Sequence, residues 1–292
     1  MTRSSVRFAA LVVTLAMLSP LAGAAEAPSK ADIDQAVAAL ADYKAGQEHT
    51  PVTRIGELLQ AMHGKADLQA HMEQKLIGLL QGDADHEAKL QACQVLARIG
   101  TEACIPVLEK MLDDPKTTHI ACWALEPNPS AQALAALRRG LQDATGEAAV
   151  TIMGVLGQRR DEMAVPILQK HIDDHSEMVA EAALAAIGKI ATPKAAEVLA
   201  KARKDVKKDL RGAANDAYLQ CANRMADDGK KDKAVAMFEE VLDDDVALRY
   251  HRGALVALMR HAGSEAIPHV LAAIRSNDEM MQGTAIANVP LL

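Results

Sequence analysis

The sequence predicts an all-α fold, an α-solenoid (superhelix) of antiparallel helix pairs, and three observations carry that prediction. Half of the 292 residues are hydrophobic but only 2% are aromatic. Alanine and leucine must therefore fill the core, which suits close-packed helices and not sheets, where β-branched and aromatic residues prevail. Aspartates punctuate the chain at near-regular steps: Asp83, Asp114, Asp143, Asp174, Asp205, Asp244 and Asp278 are 31, 29, 31, 31, 39 and 34 residues apart. Between them, apolar residues recur at helical spacing and the same phrases return in phase.

Taken in order, residues 1–25 have the layout of a secretory signal peptide. Arg3 and Arg7 open it, Phe8 to Leu18 form a short apolar run, Pro20 breaks the run, and Ala22-Gly23-Ala24 offers small residues for cleavage. The run falls short of the roughly 20 residues of a bilayer span, and the alternative is an uncleaved anchor. Export, in a bacterium to the periplasm, is the expected localisation. Later stretches lack a long uncharged apolar run, so the mature chain is not expected to insert into a membrane. Residues 26–82 are expected to supply helices that cap the array, split at Gln47-Glu48-His49-Thr50-Pro51.

Residues 83–205 are expected to be repeats of two helices each. His86 to Ile99 places Leu90, Cys93, Val95, Leu96 and Ile99 on one stripe, and Gly100 is expected to stop that helix. Ala103 to Leu112 reads as a shorter second helix. The phrase VLARIG (95–100) returns as ACWALE (121–126), IMGVLG (152–157), ALAAIG (183–188) and ALVALM (254–259). IPVLEKMLDD (105–114) returns as AVPILQKHIDD (164–174) and AIPHVLAAIRSND (266–278), with Pro106, Pro166 and Pro268 early in each helix. Residues 206–244 are either an elongated unit of the same kind or one tetratricopeptide-like pair near 212–243, in which Ala222, Gly229, Ala234 and Phe238 hold that motif's spacing. Residues 245–292 form a last unit with an apolar finish, Val289-Pro290-Leu291-Leu292, as a truncated array would have.

These units resemble HEAT repeats, especially the short variety of phycobilin lyases, to which AALAAIGKIATPKAAEVLAKA (182–202) is close. Gln91 to Asp174 is similar to HEAT regions of exported bacterial proteins. The resemblance implies a solenoid with a curved binding face. One departure stands out. Many HEAT units carry an arginine eight residues before the final glycine of the phrase, and here those places hold Ala92, Thr118, Ala149, Ala180 and His251.

Charge and residue types narrow the function. The net charge is −7, and losing Arg3 and Arg7 with the leader would make it −9. A sequence-independent nucleic-acid binder needs a basic surface instead, so no nucleic-acid partner is expected. Cys93, Cys104, Cys122 and Cys221 read as buried small residues, with a Cys93–Cys122 or Cys93–Cys104 disulfide as the sharper alternative in an oxidising compartment. His171 and His175 would share a helix face and could hold a metal if the helix continued. HIDDH falls at a repeat junction, so neither this pair nor His119 beside Cys122 is taken as a metal site. No cofactor is expected, and no catalytic motif occurs. Lys201 to Arg211 reads as a solvated face. Trp123 reads as a core ring filling a shortened unit, or else as an exposed interface anchor.

The cations Arg98, Arg159, Arg160, Lys189 and Arg260 lie near the ends of the repeated second helices. They either complement helix C-termini or form a stripe for an acidic partner, and they are the candidate partner-binding residues. The leading expectation is an exported, non-catalytic scaffold that binds a protein. The alternatives are an accessory repeat module of a larger exported enzyme or redox protein, and a tetrapyrrole lyase-like enzyme.

Overall fold

The computed structural model describes residues 28–292. The expected signal peptide, residues 1–25, lies outside them. Among the described residues there are sixteen α-helices and no strand. Helices α1 (Lys30–Ala41) and α2 (Thr50–Ala61) come first. Then α3 (Ala66–Gln81) packs on α4 (His86–Ile99), α5 (Ile105–Leu112) on α6 (Thr118–Leu125), and α7 (Ala131–Asp143) on α8 (Gly146–Gln158). The pairing continues with α9 (Val165–Lys170) on α10 (Glu177–Ile190), α11 (Pro193–Asp205) on α12 (Arg211–Asp227), α13 (Lys231–Asp243) on α14 (Leu248–Ala262), and α15 (Ile267–Arg275) on α16 (Glu279–Ala287).

The pairs stack because no two-helix unit can bury its apolar faces alone. Second helices α4, α6, α8, α10, α12, α14 and α16 pack each on the next, and first helices do so from α3 to α11. The chain is thus the α-solenoid that its periodicity predicts, and one apolar core runs from Ile33 to Ala285.

Helix starts follow local chemistry. Ser29 and Asp32 form a reciprocal capping box at α1. Asp85 accepts from the Glu87 amide at 3.1 Å, and Asp278 accepts from the amides of Met280 and Met281 at 2.9 Å. The periodic aspartates do not share one role, however: Asp143 and Asp205 are the last residues of α7 and α11.

The glycines of the repeated phrase do not share one role either. Gly100 does follow the end of α4, but Gly157 and Gly188 lie inside α8 and α10. A Cβ at Gly157 would stand 2.8 Å from Ala186 Cα, and one at Gly188 would stand 2.8 Å from the Ala217 carbonyl oxygen. These glycines let successive second helices touch through their backbones, which is a packing role and not a stop.

The long step between Asp205 and Asp244 adds no helix to the array. Helix α12 takes a place in the second-helix row and α13 packs as the first helix of the next pair, with Gly229 at φ +81° turning the chain between them. The extra length lies in the 17 residues of α12. The expected solvated face at Lys201–Arg211 is only partly so. Arg203 is buried, its Nε donates to Asn215 Oδ1 at 2.7 Å, one Nη donates to Asp244 Oδ2 at 2.7 Å, and its guanidinium lies 4.5 Å from the Tyr218 ring centre.

At the far end of the array α15 and α16 leave an apolar face uncovered. Glu279-Met280 of α16 repeats Glu177-Met178 of α10, so Ile286 corresponds to Leu184. Leu184 is fully buried by the following unit, whereas Ile286 is 61% exposed.

Candidate binding face of the second helices

Each second helix turns one stripe to solvent, at positions i, i+4, i+7 and i+11, because its other faces pack on the first helix and on both neighbouring second helices. The stripe holds His119, Trp123 and Glu126 on α6, Met178 and Ala185 on α10, Asp216 and Gln220 on α12, and Arg249, Gly253 and Arg260 on α14, all exposed.

Trp123 does not fill the core. Its side chain is 54% exposed, while Ile120, Ala121, Cys122, Ala124 and Leu125 around it are buried. Four residues before it, His119 lies 5.5 Å, ring to ring, from His86 of α4. The shortened unit is closed by small residues packing tightly, and the indole is left on the surface.

The five candidate cations fall into two groups. Arg98 and Arg260 are exposed and Lys189 half-buried, each on its helix's stripe, and none of the three enters an ion pair among the described residues. Arg159 and Arg160 lie beyond the end of α8, and the structure gives them an internal role. An Arg159 Nη1 donates to the carbonyl oxygens of Leu125, Glu126 and Asn128 at 3.0, 3.1 and 2.5 Å, where α6 ends. Arg160, at φ +53°, turns the other way. Its Nε donates to the Ile190 carbonyl at the end of α10 at 3.3 Å, and its two Nη groups clasp the Asp228 carboxylate after α12. Asn128 extends the line by donating to the carbonyls of Gly100 and Thr101, at 3.3 and 3.1 Å, beyond α4. The terminal carbonyls of a helix have no partner within it, and this row of side chains supplies partners to carbonyls at the ends of α4, α6 and α10. The arginine pair thus ties the end of α8 to the ends of α6 and α10 and to Asp228 after α12.

Sequence reasoning missed Arg249 and Arg252. With Arg260 they border a groove of about 710 Å³ between α14 and α16, floored by Gly253, Val256 and Gly283. The i, i+4, i+7, i+11 spacing of Arg249, Gly253, Val256 and Arg260 was the available signal.

The groups with displaced titration lie elsewhere. Burial pushes the thiols of Cys93, Cys104, Cys122 and Cys221 up to about 12. All four are free, so neither proposed disulfide is formed. Beside Asp228, the Arg160 guanidinium holds that carboxyl below its usual range. His171 opens a short 3-10 turn, His171–Asp173, just after α9 ends, and its Nδ1 lies 3.7 Å from Asp174 Oδ2. Among the described residues no group of three or more His, Cys, Asp or Glu side chains converges as a metal site would.

A family model described as HEAT repeats matches residues 73–151 and 141–218. The chain belongs to the HEAT-repeat family. The matched HEAT units run from within α3 to within α12, and include Arg159, Arg160 and Trp123. Among solved structures, this HEAT protein is similar to human deoxyhypusine hydroxylase in complex with glycerol, at 15% identity and a TM-score of 0.34 over 90% of this chain and 96% of that one. It is also similar to an engineered protein, at 19% identity and a TM-score of 0.33 over 75% of this chain and 95% of that one. No match was found among curated proteins.

Proposed function

We propose that this HEAT protein is an exported, non-catalytic scaffold that holds a protein partner along the exposed face of its second helices. The observation that carries this reading is Trp123, a large side chain left 54% exposed in the middle of a regular helix row whose neighbouring residues are buried. Tryptophan is the residue type most enriched at the energetic centres of protein interfaces. The row gives a partner a long platform of regularly spaced side chains, and the internal ties of Arg159 and Arg160 hold that platform rigid, which lowers the ordering cost of binding. Export rests on the leader pattern of residues 1–25.

A photo-cross-linker tests the reading in the producing cell. Trp123→p-benzoylphenylalanine should give one discrete adduct. The same substitution at Gln169, exposed on first helix α9, should give none. Equal adducts from the two sites, or no adduct from position 123, would overturn the proposal.

A further inference from the structure

The groove between α14 and α16 differs from the rest of the face in its charge. Several arginines elsewhere in the described residues are matched by carboxylates: Arg138 with Asp161, Arg139 with Glu109, Arg160 with Asp228 and Arg203 with Asp244. Arg249, Arg252 and Arg260 border the groove, no carboxylate lines it, and none of the three enters an ion pair among the described residues. Two of them are held in place. The Arg249 guanidinium lies over the Tyr250 ring, 4.6 Å from its centre, and Tyr250 is itself anchored by its hydroxyl donating to the Gly212 carbonyl at 3.0 Å. Arg252 reaches across the groove, where its Nε donates to Thr284 Oγ1 of α16 at 2.7 Å.

The floor is low and apolar. A Cβ on Gly283 would meet nothing within 4 Å, and one on Gly253 would meet only Leu219 Cδ1, at 3.5 Å. A ligand backbone can therefore lie close to both helices. Arg249 and Arg260 are eleven residues apart on one helix, which puts them about 16 Å apart along its axis. An extended chain rising about 3.3 Å per residue covers that distance in about five residues.

We infer that this groove binds an extended acidic peptide segment, with two carboxylates about five residues apart received by Arg249 and Arg260 and small apolar side chains between them. The inference rests on the scaffold reading and names the chemistry of the partner. Guanidinium groups suit carboxylates through paired N–H···O bonds. A nucleic acid fits less well, because its phosphates continue in both directions. On the α12 side they would run onto Asp209, Asp216 and Glu181, which line the adjoining groove together with Arg249, and the α14–α16 groove has no aromatic ring on which bases could stack.

The test is fluorescence anisotropy with the full chain at low ionic strength. The probe is a fluorescein-labelled peptide with two glutamates five residues apart and alanine and valine between them, compared with its glutamine counterpart. The glutamate peptide should bind at least about ten-fold more tightly than the glutamine peptide, and a combined R249A and R260A variant should lose at least about ten-fold. Gly283→Leu fills the floor without changing charge, and its Cβ meets nothing within 4 Å, so it should lose binding to the same extent with no fall in melting temperature. Equal binding of the two peptides, binding unaffected by these variants, or stronger binding of a single-stranded oligonucleotide or of phosphatidylglycerol vesicles would each overturn the inference. If the groove fails this test while position 123 still cross-links, the groove assignment falls and the scaffold reading stands.

Discussion

Arg159 and Trp123 show how a residue's neighbours decide its role. Both have a side chain whose type suggests a partner. Arg159 instead serves three carbonyl oxygens at the end of α6, while Trp123 is left without a cover. Arg159→Ala should therefore destabilise the fold by about 1–3 kcal/mol, since it strands acceptors that the helix cannot satisfy itself. Arg98→Ala, at an exposed position, should stay within about 0.5 kcal/mol. Denaturant unfolding of both variants checks this, and equal midpoints would show that the row of helix-end contacts contributes nothing. The sequence left each role as one of two alternatives and could not choose between them. The acceptors of Arg159 are backbone carbonyls 31 to 34 residues away, and no residue type marks a carbonyl. The exposure of Trp123 depends on how tightly α4, α6 and α8 pack, which one helix's periodicity does not report. Arg203 was hidden likewise, because its partners Asn215 and Asp244 come from two other elements.

At the scale of elements, glycine is the clearest case. The repeated phrase placed a glycine near the end of α4, α8 and α10, and its period gave the order and phase of the units correctly. Its meaning was not visible, because a helix stop and a close helix contact use the same residue. Gly157 and Gly188 touch the next helix, whereas Gly283 faces open space. In an exposed helix interior, Gly→Ala gains about 1 kcal/mol from conformational entropy. At positions 157 and 188 the new methyl group would meet backbone atoms at 2.8 Å, and forcing extra volume into a packed contact costs about 1–3 kcal/mol. Gly157→Ala and Gly188→Ala should thus lower the melting temperature, and a rise at either site would refute the close-contact reading. The same logic explains the region 206–244. An elongated HEAT unit and a tetratricopeptide-like pair shared its spacing, and α12 stacks on α10 and α14 in the second-helix row.

At the scale of the molecule, the all-α solenoid was readable because it follows from composition and period, two properties that survive local error. The binding face was less so. The candidate cations came from position at helix ends, and stacking sorted them into stripe residues (Arg98, Lys189 and Arg260) and internal ties (Arg159 and Arg160). Arg249 and Arg252 gained meaning only when α16 closed the other side of their groove. The central claim is that the exposed row of second helices is the working surface. Hydrogen–deuterium exchange on the complex isolated through the position-123 adduct tests it most directly. Exchange should slow on peptides from second helices, α6 and α8 foremost, while first helices α5, α7 and α9 keep their free rates. Protection confined to the first helices, with the second-helix row unchanged, would contradict the account.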